Sequence, residues 1–212
     1  FVSYNSSDST DVDLYQSMPE NTSYSTWGFW SLSASDAANA TDSVSASVDT
    51  GFWVSGEGIS FSDLPSSGSA SMSGTALMDV AYRYDQSGSN YGVQRYQTTA
   101  DVAATFNWGS SSWSGNMTVS NFDQDNPIVS NAGFSSFLFE LDPSSNTFYS
   151  ADSTNVLENA WLGSSSVAGQ FFGGSSPEQT GGTINVNLYK SSSTDTSGAN
   201  DFYVAEGIYL LD

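Results

Sequence analysis

The chain has 23 Asp and Glu residues but no His and no Cys, so any chemistry must use carboxylates, hydroxyls, amides, aromatic faces or main chain. A Ser-His-Asp triad, a thiolate nucleophile, a zinc site of the usual nitrogen and sulfur ligands, a His- or Cys-ligated haem and a disulfide are excluded. A glycosidase-type mechanism needs two carboxyl groups about 5 Å or about 6.5–9.5 Å apart across a cleft. The carboxylates on or near apolar alternations are Asp79, Asp101, Glu140 and Glu206. Asp79 and Asp101 fall on the solvent-facing parity, and all four read as solvated or turn-capping residues. No catalytic residue is assigned, and the chain reads as a non-enzyme.

A hard cation takes several oxygen ligands at about 2.3–2.6 Å. In Asp123-Gln124-Asp125-Asn126, the side chains of Asp123, Asp125 and Asn126 could place such oxygens around Ca²⁺, as could Asp11-Val12-Asp13. Neither stretch carries the Gly and distal bidentate Glu of a complete calcium loop, so turn chemistry competes with metal binding, and no cofactor is required. Trp27, Phe29, Trp30, Phe52 and Trp53 form an aromatic group that could bind a partner or stack on a sugar. The competing reading is a lid that packs the first segment onto the rest of the chain. Four Asn-X-Ser/Thr tripeptides, at Asn5, Asn21, Asn39 and Asn116, match the glycosylation acceptor, as chance allows in so Ser/Asn-rich a chain.

The formal charge is −20, with Arg83, Arg95 and Lys190 the only basic residues. Three cations cannot neutralise a run of phosphates, so nucleic acid and anionic membrane surfaces are poor partners. The acidity suits a salty or cation-rich medium that screens self-repulsion. No apolar run of about 18 residues is present, which argues against a membrane-inserted helix. Phe1 reads as a mature N-terminus, and richness in Ser, Thr, Asn and Gly with few lysines suits a secreted or surface-exposed bacterial protein.

The elements that must position these residues follow from periodicity. Residues 1–50 are polar with weak periodicity and read as an N-terminal arm. Residues 51–212 read as an antiparallel β-barrel, because apolar positions recur every second residue between Gly, Ser, Asn and Asp clusters. Met72, Gly74, Ala76, Met78, Val80, Tyr82 and Tyr84 share one parity, and a turn at Asp85–Asn90 leads to a strand near Tyr91–Tyr96. Val102, Ala104, Phe106 and Trp108, then Trp113, Gly115, Met117 and Val119, predict a hairpin over 100–120. Further faces are Phe137, Phe139 and Leu141; Val167, Gly169 and Phe171; Ile184, Val186 and Leu188; and Phe202, Val204, Ile208 and Leu210. About eight strands result, closing into a barrel whose small inward residues alternate with large ones, so that side chains rather than water fill it. Ser176, Pro177, Glu178 and Gly181 predict one short helical turn that stoppers a barrel end.

Val167-Ala168-Gly169-Gln170-Phe171-Phe172-Gly173, followed by Pro177-Glu178-Gln179 and Gly181-Gly182-Thr183-Ile184, resembles the final barrel signature of transferrin-binding-protein-B-like surface proteins. Gly68–Ala76, and Ala100–Phe106 with Trp113–Met117, agree in order and spacing, so the resemblance covers roughly residues 51–212. Gly174 departs from the family pattern, which often has Pro there, and no Cys lies near Phe1 to carry a lipid anchor. The resemblance implies an eight-stranded barrel on the surface of a Gram-negative bacterium, in a family whose members bind host proteins.

The expectation is therefore an all-β chain: a single antiparallel barrel of about eight strands preceded by an irregular or extended N-terminal segment. Its expected role is protein–protein association outside the cell, most simply as a self-assembling subunit of a surface filament or matrix. The alternative is a monomer that captures a host protein, a haem protein or a glycan.

Overall fold

The computed structural model describes residues 2–5, 10–21, 24–36, 45–85, 91–121, 136–150, 161–190 and 202–212. Four strands, β1 (Val2–Asn5), β2 (Thr10–Asn21), β3 (Ser25–Asp36) and β4 (Ser45–Gly56), pair in that order as an antiparallel sheet. Eight more form a closed barrel: β5 (Gly68–Asp85), β6 (Tyr91–Trp108), β7 (Trp113–Ser120), β8 (Ser136–Ser144), β9 (Thr147–Ser150), β10 (Trp161–Phe172), β11 (Gln179–Lys190) and β12 (Phe202–Leu211). Each barrel strand pairs antiparallel with its neighbours in sequence, and β12 closes on β5 from Phe202 opposite Arg83 to Leu211 opposite Gly74. The predicted all-β barrel is the observed architecture. The strands described before the barrel form that separate sheet; β4 runs through residue 50 to Gly56, and the first barrel strand opens at Gly68.

The period-two alternation places Met72, Ala76, Met78, Val80 and Tyr82 of β5 in the core, with Val102, Ala104, Phe106 and Trp108 of β6 beside them. Strands expected separately around Tyr91–Tyr96 and Val102–Trp108 are one continuous strand, paired with β5 from Gly68 opposite Trp108 to Asp85 opposite Tyr91. Tyr203, Tyr209, Phe106, Phe137, Phe139 and Phe171 are among the largest fully buried side chains, so the interior is packed, as the alternation of large and small residues predicted. Removing one such side chain from water stabilises the fold by about 1.5–3 kcal/mol.

One barrel end is an aromatic cluster. Phe171 meets Phe106 edge-on at 4.8 Å, Trp113 at 5.2 Å and Trp108 at 5.3 Å between ring centroids, the tilted arrangement that ring quadrupoles favour. Ile59, 3% exposed, joins this core from the linker between the sheet and the barrel. Its N–H donates to the Phe171 carbonyl at 3.3 Å, and its own carbonyl accepts from the Asn146 side-chain amide at 2.6 Å.

Two expectations are corrected here. Residues 173–178 form no helical turn; among the described residues the one helical turn is a 3-10 turn at Phe61–Asp63. The connection from β10 to β11 is closed instead by the Glu178 N–H donating to the Phe172 carbonyl at 3.0 Å. Helix nucleation is unfavourable in so short a segment, whatever its capping residues, and the stopper is Ile59. The second correction concerns β12, whose inward residues are Tyr203, Ala205, Tyr209 and Leu211. The predicted inward set of Phe202, Val204, Ile208 and Leu210 faces outward, where Ile208 and Leu210 pack against Trp27, Phe52 and Val54 of the N-terminal sheet. A strand buried on both faces is apolar at both parities, so alternation cannot tell its two sides apart.

Candidate functional site

The outer wall of β11, β12, β5 and β6 is built from register. Tyr189 stands opposite Phe202, Phe202 opposite Arg83, and Arg83 opposite Val93, so one row of outward side chains crosses four strands. Tyr189 is 42% exposed, Phe202 38% and Val93 66%. The next row is Asn187, Val204, Ala81 and Arg95, and the one after it is Asn185, Glu206, Asp79 and Gln97. The closing strand pair thus sets Glu206 directly opposite Asp79, residues that are distant in sequence. Phe52 overhangs these rows from β4 and, with Asp79, Ala81, Arg95, Val204 and Glu206, walls a groove of about 180 Å³.

Of the predicted aromatic group, Trp27 is buried, and Phe52 packs partly buried beside it against Ile208 and Leu210. These two act as the lid that the sequence offered as the competing reading. Trp53 is half-buried in β4, on the strand face opposite to Phe52. Phe29 and Trp30 lie in β3 by backbone register, and their side chains fall outside the described residues. The candidate calcium ligands Asp123, Asp125 and Asn126 also lie outside them. Asp11 and Asp13 fall in β2, described by its pairing with β1 and β3.

Among the four carboxylates singled out, the barrel brings Asp79 and Glu206 together and leaves the others apart. Asp101 is exposed and accepts from the Asn121 side-chain amide at 2.5 Å, next to a left-handed turn at Asn121 (φ 54°). Glu140 is exposed opposite Asn116. Among the described residues no group of three or more Asp or Glu could hold a metal ion, and no helix is long and apolar enough to cross a membrane.

The segment expected to be a helical stopper is the joint that fixes the sheet to the barrel. Ser25 Oγ donates to Gln179 Oε1 at 2.8 Å, and both residues are buried. The Glu57 N–H donates to the Tyr24 carbonyl at 2.9 Å, and the Gly173 N–H donates to the Glu57 carbonyl at 3.1 Å. The Tyr24 phenol is raised above its ordinary 10.0, first by the charge of Glu178, then by burial and by a hydrogen bond to Glu178. The double glycine serves both faces. A Cβ on Gly181 would lie 2.9 Å from Val54 of the sheet, whereas one on Gly182 would collide with the Ala168 carbonyl of the neighbouring strand.

Sequence reasoning missed the exposed row. Its signal was available as apolar residues on the parity where polar ones are expected, at Val93 and Tyr189, together with Arg83, one of the three basic residues.

Fold and wall together define a closed antiparallel barrel with an appended sheet and a half-covered outer surface. No family model and no curated protein matches the sequence. Among solved structures, the chain is similar to intact Ap-TbpB with its N and C lobes, at 15% identity and a TM-score of 0.48, covering 100% of this chain and 38% of that one. It is also similar to two mutants of the vaccine antigen transferrin-binding protein B from Haemophilus parasuis Hp5. The double mutant has 15% identity and a TM-score of 0.45 over 98% of this chain, and the single mutant 14% and 0.45 over 100%. The chain spans 37–38% of the length of these proteins.

Proposed function

We propose that this chain is a non-enzymatic extracellular surface protein that acts by protein–protein association, with the barrel as a rigid platform and its outer wall as the contact face. The observation that carries the reading is the exposed row Tyr189, Phe202, Arg83 and Val93. Tyrosine and arginine combine large contact area with polar tips that tolerate water before a partner arrives, and phenylalanine adds apolar contact area beside them. The packed interior supports the same reading, since a barrel that carries a small ligand keeps space for it inside. The composition, poor in lysine and rich in Ser and Asn, and the motif resemblance to transferrin-binding-protein-B-like surface proteins support a place on the outer surface of a Gram-negative bacterium.

The test replaces Phe202→Ser together with Val93→Ser. Light scattering on the purified chain reads self-association, and affinity capture from bacterial or host extracts reads foreign partners. Association lost in the variant, with an unchanged melting temperature, supports the reading. Association equal to that of the parent chain overturns it.

A further inference from the structure

We propose that the crevice between β4 and the barrel is a binding site for a neutral glycan, with the Tyr149 ring as its stacking surface. This goes beyond the association reading, because the crevice lies on β9, β10 and β11 toward the Phe172 end and shares no residue with the row Tyr189, Phe202, Arg83 and Val93.

The crevice has a volume of about 520 Å³, inside the range of about 300–1,000 Å³ usual for small-molecule sites. Register makes its floor. Tyr149, Ala168 and Thr183 stand opposite one another across β9, β10 and β11, and Thr147, Gln170 and Gly181 form the next row toward Phe172. Both rows point out of the barrel, since Phe148, Val167 and Ile184, their neighbours along the strands, are in the core. Ala168 and Gly181 keep the floor low, and Val54, Ser55 and Gly56 of β4 form the facing wall. Tyr149 is 50% exposed, and the alanine opposite it is too short to cover its ring.

The lining fits a ligand that is uncharged and carries many hydroxyl groups. Among the described residues no Asp, Glu, Lys or Arg lines the crevice, in a chain with 23 acidic residues. An ion bound there would give up water without meeting a counter-charge. Ser55 and Thr183 offer hydroxyls that donate and accept, and Gln170 offers an amide that does the same. The Thr147 hydroxyl donates to the Ser144 carbonyl at 2.7 Å, which leaves it as an acceptor toward the crevice. A hydrocarbon chain would strand these four groups. An extended peptide would find only Val54 to Gly56 on which to build a ladder, because beyond them the chain bridges to the barrel at Gly58 and Phe172. A sugar satisfies both halves of the lining. Its hydroxyls pair with the polar groups, while its C–H face covers the tyrosine ring, whose negative face attracts it. On the far side of Tyr149 stands Asp142, exposed, which accepts from a hydroxyl and repels a sulfated or carboxylated glycan.

Saturation-transfer NMR on the full chain tests the site, with chitotetraose, cellotetraose and maltotetraose as neutral probes and a heparin-derived tetrasaccharide as the anionic one. The expected result is transfer to at least one neutral tetrasaccharide, strongest on its ring C–H protons, and none to the heparin fragment. Tyr149→Ala should raise the dissociation constant about tenfold, the loss of one aromatic contact. Ala168→Trp fills the floor and should abolish the signal. Both side chains are exposed, and unchanged melting curves show that the variants fold; should Ala168→Trp not fold, Gln170→Ala still weakens binding at the same site. The Phe202→Ser, Val93→Ser variant should bind the sugar like the parent, so the association reading and the glycan site fail separately. Absence of transfer to all three neutral probes at millimolar concentration, binding that survives both Tyr149→Ala and Ala168→Trp, or a preference for the heparin fragment overturns the proposal. An uncharged blocked hexapeptide of alternating Thr and Val that binds where the sugars do not would make the crevice a strand-addition site and overturns it as well.

Discussion

Two halves of one barrel wall share the same strands and the same outward parity, yet meet opposite environments. Toward the Phe172 end, Ile208 is 1% exposed and Leu210 is 8% exposed beneath Trp27, Phe52 and Val54. Toward the other end of the same strands, Phe202 and Tyr189 are exposed beside Arg83. The covered half uses aliphatic side chains without polar atoms and a glycine that lets β4 approach. The open half uses aromatic and cationic side chains that are stable in water and in contact. Side-chain chemistry thus separates a seam buried within the chain from a face that stays in contact with water.

The sharpest way to break the comparison is at the seam. Trp27→Ala should destabilise the chain by about 3–5 kcal/mol, as large-to-small changes at buried aromatics do. Limited proteolysis should then cut within residues 45–56 faster than in the parent, whereas an unchanged cleavage pattern would show that the sheet is held elsewhere. Leu210→Ala removes the facing side of the same contact and should cost about 2–5 kcal/mol in denaturant unfolding. Ser25→Ala removes the hydroxyl that donates to the buried Gln179 side-chain carbonyl and should cost about 0.5–1.5 kcal/mol, and a neutral result would discount this link in the joint.

Alkaline pH probes the joint more gently. Because the folded Tyr24 phenol is raised above 10.0, its contribution is complete below pH 10 and is lost as pH rises through the raised value. Burial also pushes the Tyr209 phenol well up, with the same sign, so Tyr24 is read as the difference between the parent and Tyr24→Phe. The variant should show a shallower loss of sheet protection above pH 10, followed by proteolysis. The smallest effect belongs to the open half. Phe202→Ala should change stability by no more than about 0.5 kcal/mol, as surface substitutions do, while weakening association. A large loss of stability there would mean that the open half is structural as well.

Much of the barrel was legible because half-buried antiparallel strands write their geometry as alternation. Met72 through Tyr82 and Val102 through Trp108 show one apolar parity and one largely polar parity, and the structure buries the first. The reading failed where a strand has two buried faces. Gly207-Ile208-Tyr209-Leu210-Leu211 is apolar at every position, so nothing local says which side chains point inward. It failed again at Ser176-Pro177-Glu178, where good helix-start chemistry occupies a connection closed by a strand-end hydrogen bond. The candidate site was legible only in part: Phe52, Asp79 and Glu206 stood out as residue types, but their shared groove requires β12 to close on β5 and β4 to lie alongside.

Residue types and their spacing alone specify an all-β chain without His or Cys, bearing a large negative charge and alternating into a packed core, because these properties depend on residue type and on neighbours two positions away. The tertiary structure decided which face of β12 turns inward, which part of the linker stoppers the barrel, and that Arg83, Asp79 and Glu206 share one wall. Those outcomes depend on closure between strands that lie far apart in the chain, and residue order encodes such closure only through the packing of the whole fold.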